Sequence, residues 1–552
     1  MLDIRIQTRS VMAKNNTKYI FVTGGVLSGV GKGIASASLG KILKARGFSV
    51  NIQKCDPYLN MDAGTLNPGE HGEVFVTDDG AETDLDVGHY ERFLDTNLTQ
   101  SSSLMAGRVF DNVLQAERRG EYLGSTIQII PHITNEIQKQ ILEAGKGFGV
   151  HIVEIGGTVG DYEGLHFIEA IRQIKYKVGQ ENVFFVHVVF LPYLETTGEV
   201  KSRPAQYSVR ELKELGIDPN MIILRSDHLV PEDVVRKISL YSDVPEKAII
   251  PLETAESVYE VPLTLEKASA GSYISKYLGL GSRKPNLKEW EELIVKIKQK
   301  KKTVKIGIVA KYLTNLDTYT SIVEALKSAA WANNLNLELV WVNAEKLEVE
   351  GIENLKGLDG ILVPGGFGSR GIEGKILAAR YARENNVPYF GICLGMQIAT
   401  IEFARNVCNL GGATSFEFSS KGGSISGWDP KKSHLVIDLM ESQKNLTALG
   451  GTMRLGLYNC NLKPGSKAAT AYGAKKIKER HRHRFEFNDK YEKKLESCGM
   501  VFSGINPETK LVEIIELKNH PWFLAVQFHP EFKSRPTAPH PLFKDFIKAA
   551  SK

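Results

Sequence analysis

The chain has little of what marks exported, cross-linked or membrane-spanning proteins. Its cysteines, Cys55, Cys393, Cys408, Cys460 and Cys498, are few, odd in number and scattered, with no Cys-x-x-Cys pair. That argues against a disulfide framework or a zinc site and for a reducing compartment. Long hydrophobic runs are missing. The most apolar stretch, Val183 to Leu194, is interrupted by His187 and Pro192 and falls well short of the ~20 residues that span a bilayer. The first ten residues mix charge with apolar side chains, so no secretory signal is read and a cytoplasmic location is expected. Met12 offers another start, leaving residues 1–11 open as an extension. A dominant charge is also lacking: 69 Lys and Arg against 64 Asp and Glu give +5, which neither demands nor excludes an anionic partner. Internal repeats and low-complexity tracts are absent too.

What is present is an ordinary globular composition over 552 residues, too long for one core at roughly 150 residues per domain. From Tyr19 to about residue 280, β-branched and aromatic runs alternate with helical patterns. Tyr19–Thr23, Val50–Lys54, His151–Ile155, Asn182–Phe190, Met221–Leu224 and Ala248–Pro251 read as buried strands. Such alternation predicts an α/β fold with a doubly wound, mostly parallel sheet. Trp290, Leu293, Ile294 and Ile297 predict a one-sided linker helix that ends in a solvated lysine run, Lys296–Lys302. A second α/β pattern starts at Val304, with a helix through Ile322, Leu326 and Trp331 and strands at Leu337–Val342, Gly360–Val363 and Pro388–Ile392. The expected division is 1–281 with an amino-terminal extension 1–17, a linker 282–303, and a second doubly wound domain 304–552. Residues 418–446 read as a surface loop with an edge strand.

In the first domain, Ile20-Phe-Val-Thr-Gly-Gly-Val-Leu-Ser-Gly-Val-Gly-Lys-Gly33 is a strand entering a glycine-rich turn before a helix. Backbone N–H groups, the helix dipole and Lys32 can converge there on a polyphosphate. Val26 stands where a standard P-loop has its first glycine, and Gly33 replaces the Ser/Thr that holds magnesium. Carboxylates elsewhere must then serve a hard cation. Asp86 ends the acidic run Asp78–Asp86, and Glu154 lies at the carboxyl end of a strand, where open α/β sheets bind ligands. Lys54 ends the second strand on the same rim.

In the second domain, Gly391-Ile-Cys-Leu-Gly395 is a nucleophile elbow with Cys393 between small residues at a helix N-terminus, a setting that favours the attacking thiolate. Leu362-Val-Pro-Gly-Gly-Phe-Gly368 ends another strand with glycines, so an amide at or near Gly366 can join that of Leu394 as an oxyanion hole. In Ala525-Val-Gln-Phe-His-Pro-Glu531, His529 can act as base and Glu531 can orient it. The other carboxy-terminal cysteines read as structural. The run Glu479-Arg-His-Arg-His-Arg-Phe485 is by default a solvated basic stripe, from which a glutaminase could recruit Arg484 for a substrate carboxylate.

Together with His71–Thr77, Asp79–Asp86, Gly88–Arg92, Glu117–Gly124, Pro131–Thr134, Glu154–Asp161 and Gly450–Gly456, these motifs closely resemble the CTP synthase family, from Lys18 to Ala550. The resemblance implies an amidoligase domain followed by a class I glutamine amidotransferase domain. The expected activity is ATP-dependent amination of UTP to CTP through a 4-phosphorylated intermediate, with ammonia from glutamine. It implies nucleotide contacts from Ser28, Gly29, Val30, Gly31, Lys32 and Lys54, then Asp161, Tyr162 and Glu163. Lys201, Ser202, Arg203, Pro204, Ala205, Gln206 and Lys237 join them. Mg²⁺ ligation is expected from Asp86 and Glu154, and glutamine contacts from Gly366, Leu394, Gly395, Met396, Gln397, Glu417 and Arg484. Cys393, His529 and Glu531 would be the triad. The family also implies CTP feedback inhibition, a homotetramer with filaments left open, and activation by GTP. GTP activation in relatives draws on basic residues in the region matching 418–446, where this sequence matches poorly, and Leu123 matches a loop linked to that coupling. Gly29-Val30 replaces a Ser-Leu pair common in bacterial relatives. Neither nucleic acid nor membrane is an expected partner. A related amidoligase acting on a carboxylate is the nearest alternative, against which Lys201–Gln206 argues.

Overall fold

The computed structural model describes residues 17–419, 433–440, 443 and 450–552. The amino-terminal extension and most of the 418–446 loop lie outside them. Two compact units form: residues up to Met61 with Ser101–Lys288, and Asp62–Gln100 with Glu289–Lys552.

The first unit is built on β1 (Lys18–Gly25), β2 (Val50–Asp56), β3 (Ser103–Met105), β4 (Val150–Ile155), β5 (Val183–Phe190), β6 (Met221–Ser226) and β7 (Ile249–Glu253). All pair in parallel, in the order β7-β6-β5-β1-β4-β2-β3. Strands buried on both faces need apolar residues at every position. Accordingly Tyr19, Phe21, Val153 and Ile155 pack into one core, and Val189, Ile222 and Leu224 into another. With β1 between β4 and β5, the carboxyl ends of β1, β2 and β4 bring Gly25, Lys54 and Glu154 to one rim.

The second unit is built on β8 (Thr303–Ala310), β9 (Asn336–Asn343), β10 (Gly360–Val363), β11 (Tyr389–Ile392), β12 (Arg454–Leu462), β13 (Lys476–His483), β14 (Met500–Ile505), β15 (Val512–Leu517) and β16 (Phe523–Val526). Their order is β9-β8-β10-β11-β16-β15-β14-β12-β13. The first five are parallel as expected, but the other four add an antiparallel half. The connection from β14 to β15 is too short for a crossover helix, so a hairpin is forced.

The boundary read from the sequence differs from these units, because Asp62–Gln100 packs with the second one. Arg480, fully buried, donates to Asp78 Oδ1 at 2.6 Å and to both oxygens of Glu91 at 2.9 and 3.1 Å. Arg535 reaches Glu91 at 2.7 Å and Arg482 reaches Glu82 at 2.8 Å. Arg480 and Arg482, read as part of a solvated basic stripe, are thus ion-pair partners, with His481 and His483 buried beside them. Cysteine spacing argues against a framework of disulfides, yet leaves room for a single disulfide. Cys408 and Cys498 form one, with Cα atoms 5.8 Å apart across 90 residues of chain. Cys55, Cys393 and Cys460 remain free thiols. Among the described residues no helix is long and apolar enough to cross a membrane.

Candidate functional site

The first unit carries the phosphate-loop region. β1 runs into a turn in which Val26, Gly29 and Gly31 have φ of 79°, 72° and 93°. Glycine adopts this region freely. A β-branched valine does so only under strain, which is concentrated where the standard loop has its first glycine. The Lys32 side chain lies across Gly24, where a Cβ would sit 2.6 Å from its Cδ, and its Nζ donates to Gly157 O at 2.6 Å. Ser28 and Gly29 are exposed and Val30 is buried. Lys54 Nζ donates to Glu154 Oε1 at 3.0 Å and lies 3.9 Å from Asp56. Under the loop, His187 is bridged to Thr23 and Ser208, both at 2.9 Å. Burial pushes His187 down to about 3, so this bridge to the helix Arg203–Glu214 is uncharged.

The expected Lys201–Gln206 segment leads into that helix, with Ser202 at its N-cap. Gln206 Nε2 donates to Ser202 Oγ at 3.0 Å, Pro204 sits in the first turn, and Ala205 is buried. Lys201 pairs with Glu199. Asp161 accepts from Thr158 N at 3.0 Å, whereas Tyr162, Glu163, Arg203 and Lys237 are exposed. In the second unit, Asp86 opens the helix Leu85–Leu94, its N–H capped by Asp84. Among the described residues no group of three or more His, Cys, Asp or Glu could hold a metal ion. Glu154 in the first unit and Asp86 in the second each present carboxylate oxygens, the donor type that hard cations take.

The second unit carries the region read as a nucleophile elbow. Cys393, between β11 and the helix Leu394–Asn406, has φ 53° and ψ −103°, the strained geometry of an elbow. A Cβ on Gly391 would fall 2.6 Å from the Gly395 backbone, and one on Gly395 would fall 2.1 Å from Val363 O. Only glycine lets strand and helix meet this closely. His529 follows β16, and its Nδ1 shares a proton with Glu531 Oε1 at 2.7 Å. Its Nε2 makes no hydrogen bond among the described residues and lies with Cys393 against Gly365. Burial alone would lower the imidazole pKa. The Glu531 carboxylate and the Cys393 sulfur outweigh it and raise it to about 10.

Cys393 and His529 open into a cavity of about 460 Å³, lined also by Gly366, Glu417, Arg484 and Glu73. Glu417 Oε1 accepts from Gly368 N at 2.6 Å, and burial raises its pKa. Arg484 donates to Gln443 Oε1 at 2.7 Å. Of the other expected glutamine contacts, Leu394 and Met396 turn their side chains into the core. Gln397 donates to Phe485 O and Gln527 Oε1. Three charged groups escaped the sequence reading. Glu73, which accepts from Ser321 N and Oγ, is raised by burial to about 7. Lys375 is lowered to about 7 by burial and by the charge of Lys311, and Lys311 itself donates to Phe367 O. Glu73 lies in a quoted motif, but its long-range partner gives no sequence signal. The lysines carry no motif.

Residues 18–280 match the family model described as CTP synthase N-terminus, and 314–549 match that of class-I glutamine amidotransferases. The chain is thus a synthetase joined to a glutamine amidotransferase. It is 55% identical over 537 residues to a CTP synthase of Roseiflexus castenholzii, covering 97% of this chain and 95% of that one. A Bacillus subtilis CTP synthase is 52% identical over 537 residues, with 97% and 98% covered. The chain belongs to the CTP synthase family. A solved glutaminase domain of Trypanosoma brucei CTPS with bound acivicin is 38% identical, covering 45% of this chain and 94% of that one, with a TM-score of 0.41.

Proposed function

We propose that this chain aminates UTP to CTP with ATP, using ammonia released from glutamine, and that the expected site residues carry out the two halves of that reaction. It is a ligase of pyrimidine biosynthesis. The uracil 4-oxygen is a poor leaving group. ATP converts it to a phosphate ester, and ammonia then displaces phosphate. The amidoligase half falls to residues 1–281 and the glutaminase half to 304–552.

In the amidoligase half, the amides of Ser28–Gly31 and the ammonium of Lys32 bind polyphosphate, and Lys54 neutralises charge on the transferring phosphoryl group. Asp161–Glu163, Lys201–Gln206 and Lys237 hold UTP, and CTP as feedback inhibitor. Asp86 and Glu154 offer the hard oxygen donors that Mg²⁺ takes. Bound there, Mg²⁺ would neutralise phosphate charge. In the glutaminase half, Cys393 attacks the side-chain amide while Gly366 and Leu394 amides stabilise the oxyanion. Glu417 takes the substrate ammonium and Arg484 its carboxylate, with Gln397 beside them. His529 gives its proton to departing ammonia, and water then releases glutamate from the thioester. The observation that carries this half is His529, held at 2.7 Å by Glu531 with its other nitrogen beside Cys393.

GTP as activator, a homotetramer and a cytoplasmic setting complete the reading. They rest on family membership. Measuring CTP formation with glutamine and separately with ammonia tests the assignment. Cys393→Ala should abolish the first and spare the second. Loss of both, or of neither, would refute the division of labour.

A further inference from the structure

We propose that Gln527 is a catalytic hydrogen-bond donor to the Cys393 sulfur, one that favours the thiolate both as nucleophile and as leaving group. The inference rests on Cys393 being the thiol that attacks glutamine. Gln527 lies just past β16, two residues before His529, and is fully buried. Its Nε2 is 3.8 Å from Cys393 Sγ, within reach for a sulfur acceptor.

The orientation of this amide is fixed by a chain of partners. Gln397 Nε2 donates to the Phe485 carbonyl at 3.2 Å, and a backbone carbonyl can only accept. The Gln397 amino group must therefore point that way, and its second proton goes to Gln527 Oε1 at 3.4 Å. With its oxygen taken, Gln527 can turn only its NH₂ toward the sulfur. A flipped amide would set two NH₂ groups against each other and a carbonyl oxygen against the sulfur.

The sulfur has a second neighbour with the opposite preference. The Arg482 carbonyl lies 3.8 Å away and can accept only from a protonated thiol. The thiol is thus held by Arg482 O and the thiolate by Gln527 Nε2. Deprotonation, with the proton passing to His529 Nε2, exchanges one partner for the other. Hydrogen bonds to a charged acceptor are roughly twice as strong as neutral ones, so the exchange favours the thiolate. The same donor acts when water cleaves the thioester, because the C–S bond then breaks with its electron pair on sulfur. The charged groups around Cys393 include the His529–Glu531 pair and Lys375, with Glu73, Glu417, Arg482 and Arg484 lining the same cavity. Gln527 adds a fixed neutral dipole that none of them supplies.

The test is the pH dependence of Cys393 alkylation by iodoacetamide, mapped by peptide mass, for wild type, Gln527→Met and Gln527→Glu. Glutamine kcat and KM are measured alongside, and a thermal melt reports whether each variant is folded. At pH 7 alkylation should fall about 10-fold in Gln527→Met and further in Gln527→Glu, converging on wild type at high pH, while kcat falls and KM stays within about two-fold. Should Gln527→Met not fold, the isosteric Gln527→Glu carries the comparison. Profiles that superimpose on wild type, or that drop equally at every pH, overturn the inference. If Cys393→Ala retains glutamine turnover, the nucleophile assignment itself fails, and this inference with it.

Discussion

Replacing Gly395 by alanine should separate the two activities through geometry alone. The added Cβ would sit 2.1 Å from Val363 O and 3.1 Å from Val363 C, both backbone atoms of β10. An ordinary contact needs about 3.5 Å, so the start of the nucleophile helix or the end of β10 must move by roughly 1 Å. Overpacking of this kind costs about 1–3 kcal/mol, which a chain of this size survives. A displacement of ~1 Å at a reacting atom costs on the order of 100-fold in rate. Cys393 is two residues from the clash and the Gly366 loop follows β10 directly, so both would be displaced. Glutamine hydrolysis by Gly395→Ala, followed as glutamate release, should therefore fall about 100-fold. CTP formation from ammonia should stay within about three-fold. Glutaminase activity within a few-fold of wild type would refute the reasoning, because it would mean the elbow tolerates a side chain where the structure has no space for one.

The remaining predictions concern charge, stability and cross-linking. Glu531→Gln removes the carboxylate that raises His529 to about 10. Wild-type glutaminase should hold its rate through neutral pH and decline as pH approaches about 10, and the variant should decline at least one unit lower. The linkage has the same sign: stability from charged His529 is fully present below about 6.5 and is lost as pH rises toward 10. Arg480→Met leaves Glu91 buried with Arg535 as its remaining guanidinium. It should lower stability by about 3 kcal/mol in a thermal melt, and Glu91→Gln in the same chain should recover part of that loss. Denatured without reductant, the protein should titrate three thiols, Cys55, Cys393 and Cys460. Cys408→Ser should free Cys498 and lower the melting temperature.

Much of this was readable before any coordinates. The strands of the first sheet stand where β-branched runs alternate with helical periods, and Cys393 stands on its elbow because Gly391 and Gly395 flank it. Both are signals of neighbouring residues. What escaped depends on partners far away in sequence. Arg480 and Arg482 look like a solvated stripe because Glu91, Asp78 and Glu82 are some 400 residues distant. Those same pairs draw Asp62–Gln100 into the second unit, where chain order would not place it. Cys408 and Cys498 are hidden as a pair by their separation. Gln527 sits inside a motif already noted for His529, yet its task emerges only once Gln397 and Phe485 fix the direction of its amide. The antiparallel half of the second sheet follows from short connections, which composition does not reveal.

The most direct test of the central claim follows nitrogen. Incubation of the protein with UTP, ATP, Mg²⁺ and [amide-¹⁵N]glutamine should yield CTP with ¹⁵N in its exocyclic amino group, together with unlabelled glutamate and one ADP per CTP. Consumption of glutamine with no labelled CTP, or amination of a carboxylate substrate while UTP is left untouched, would contradict it.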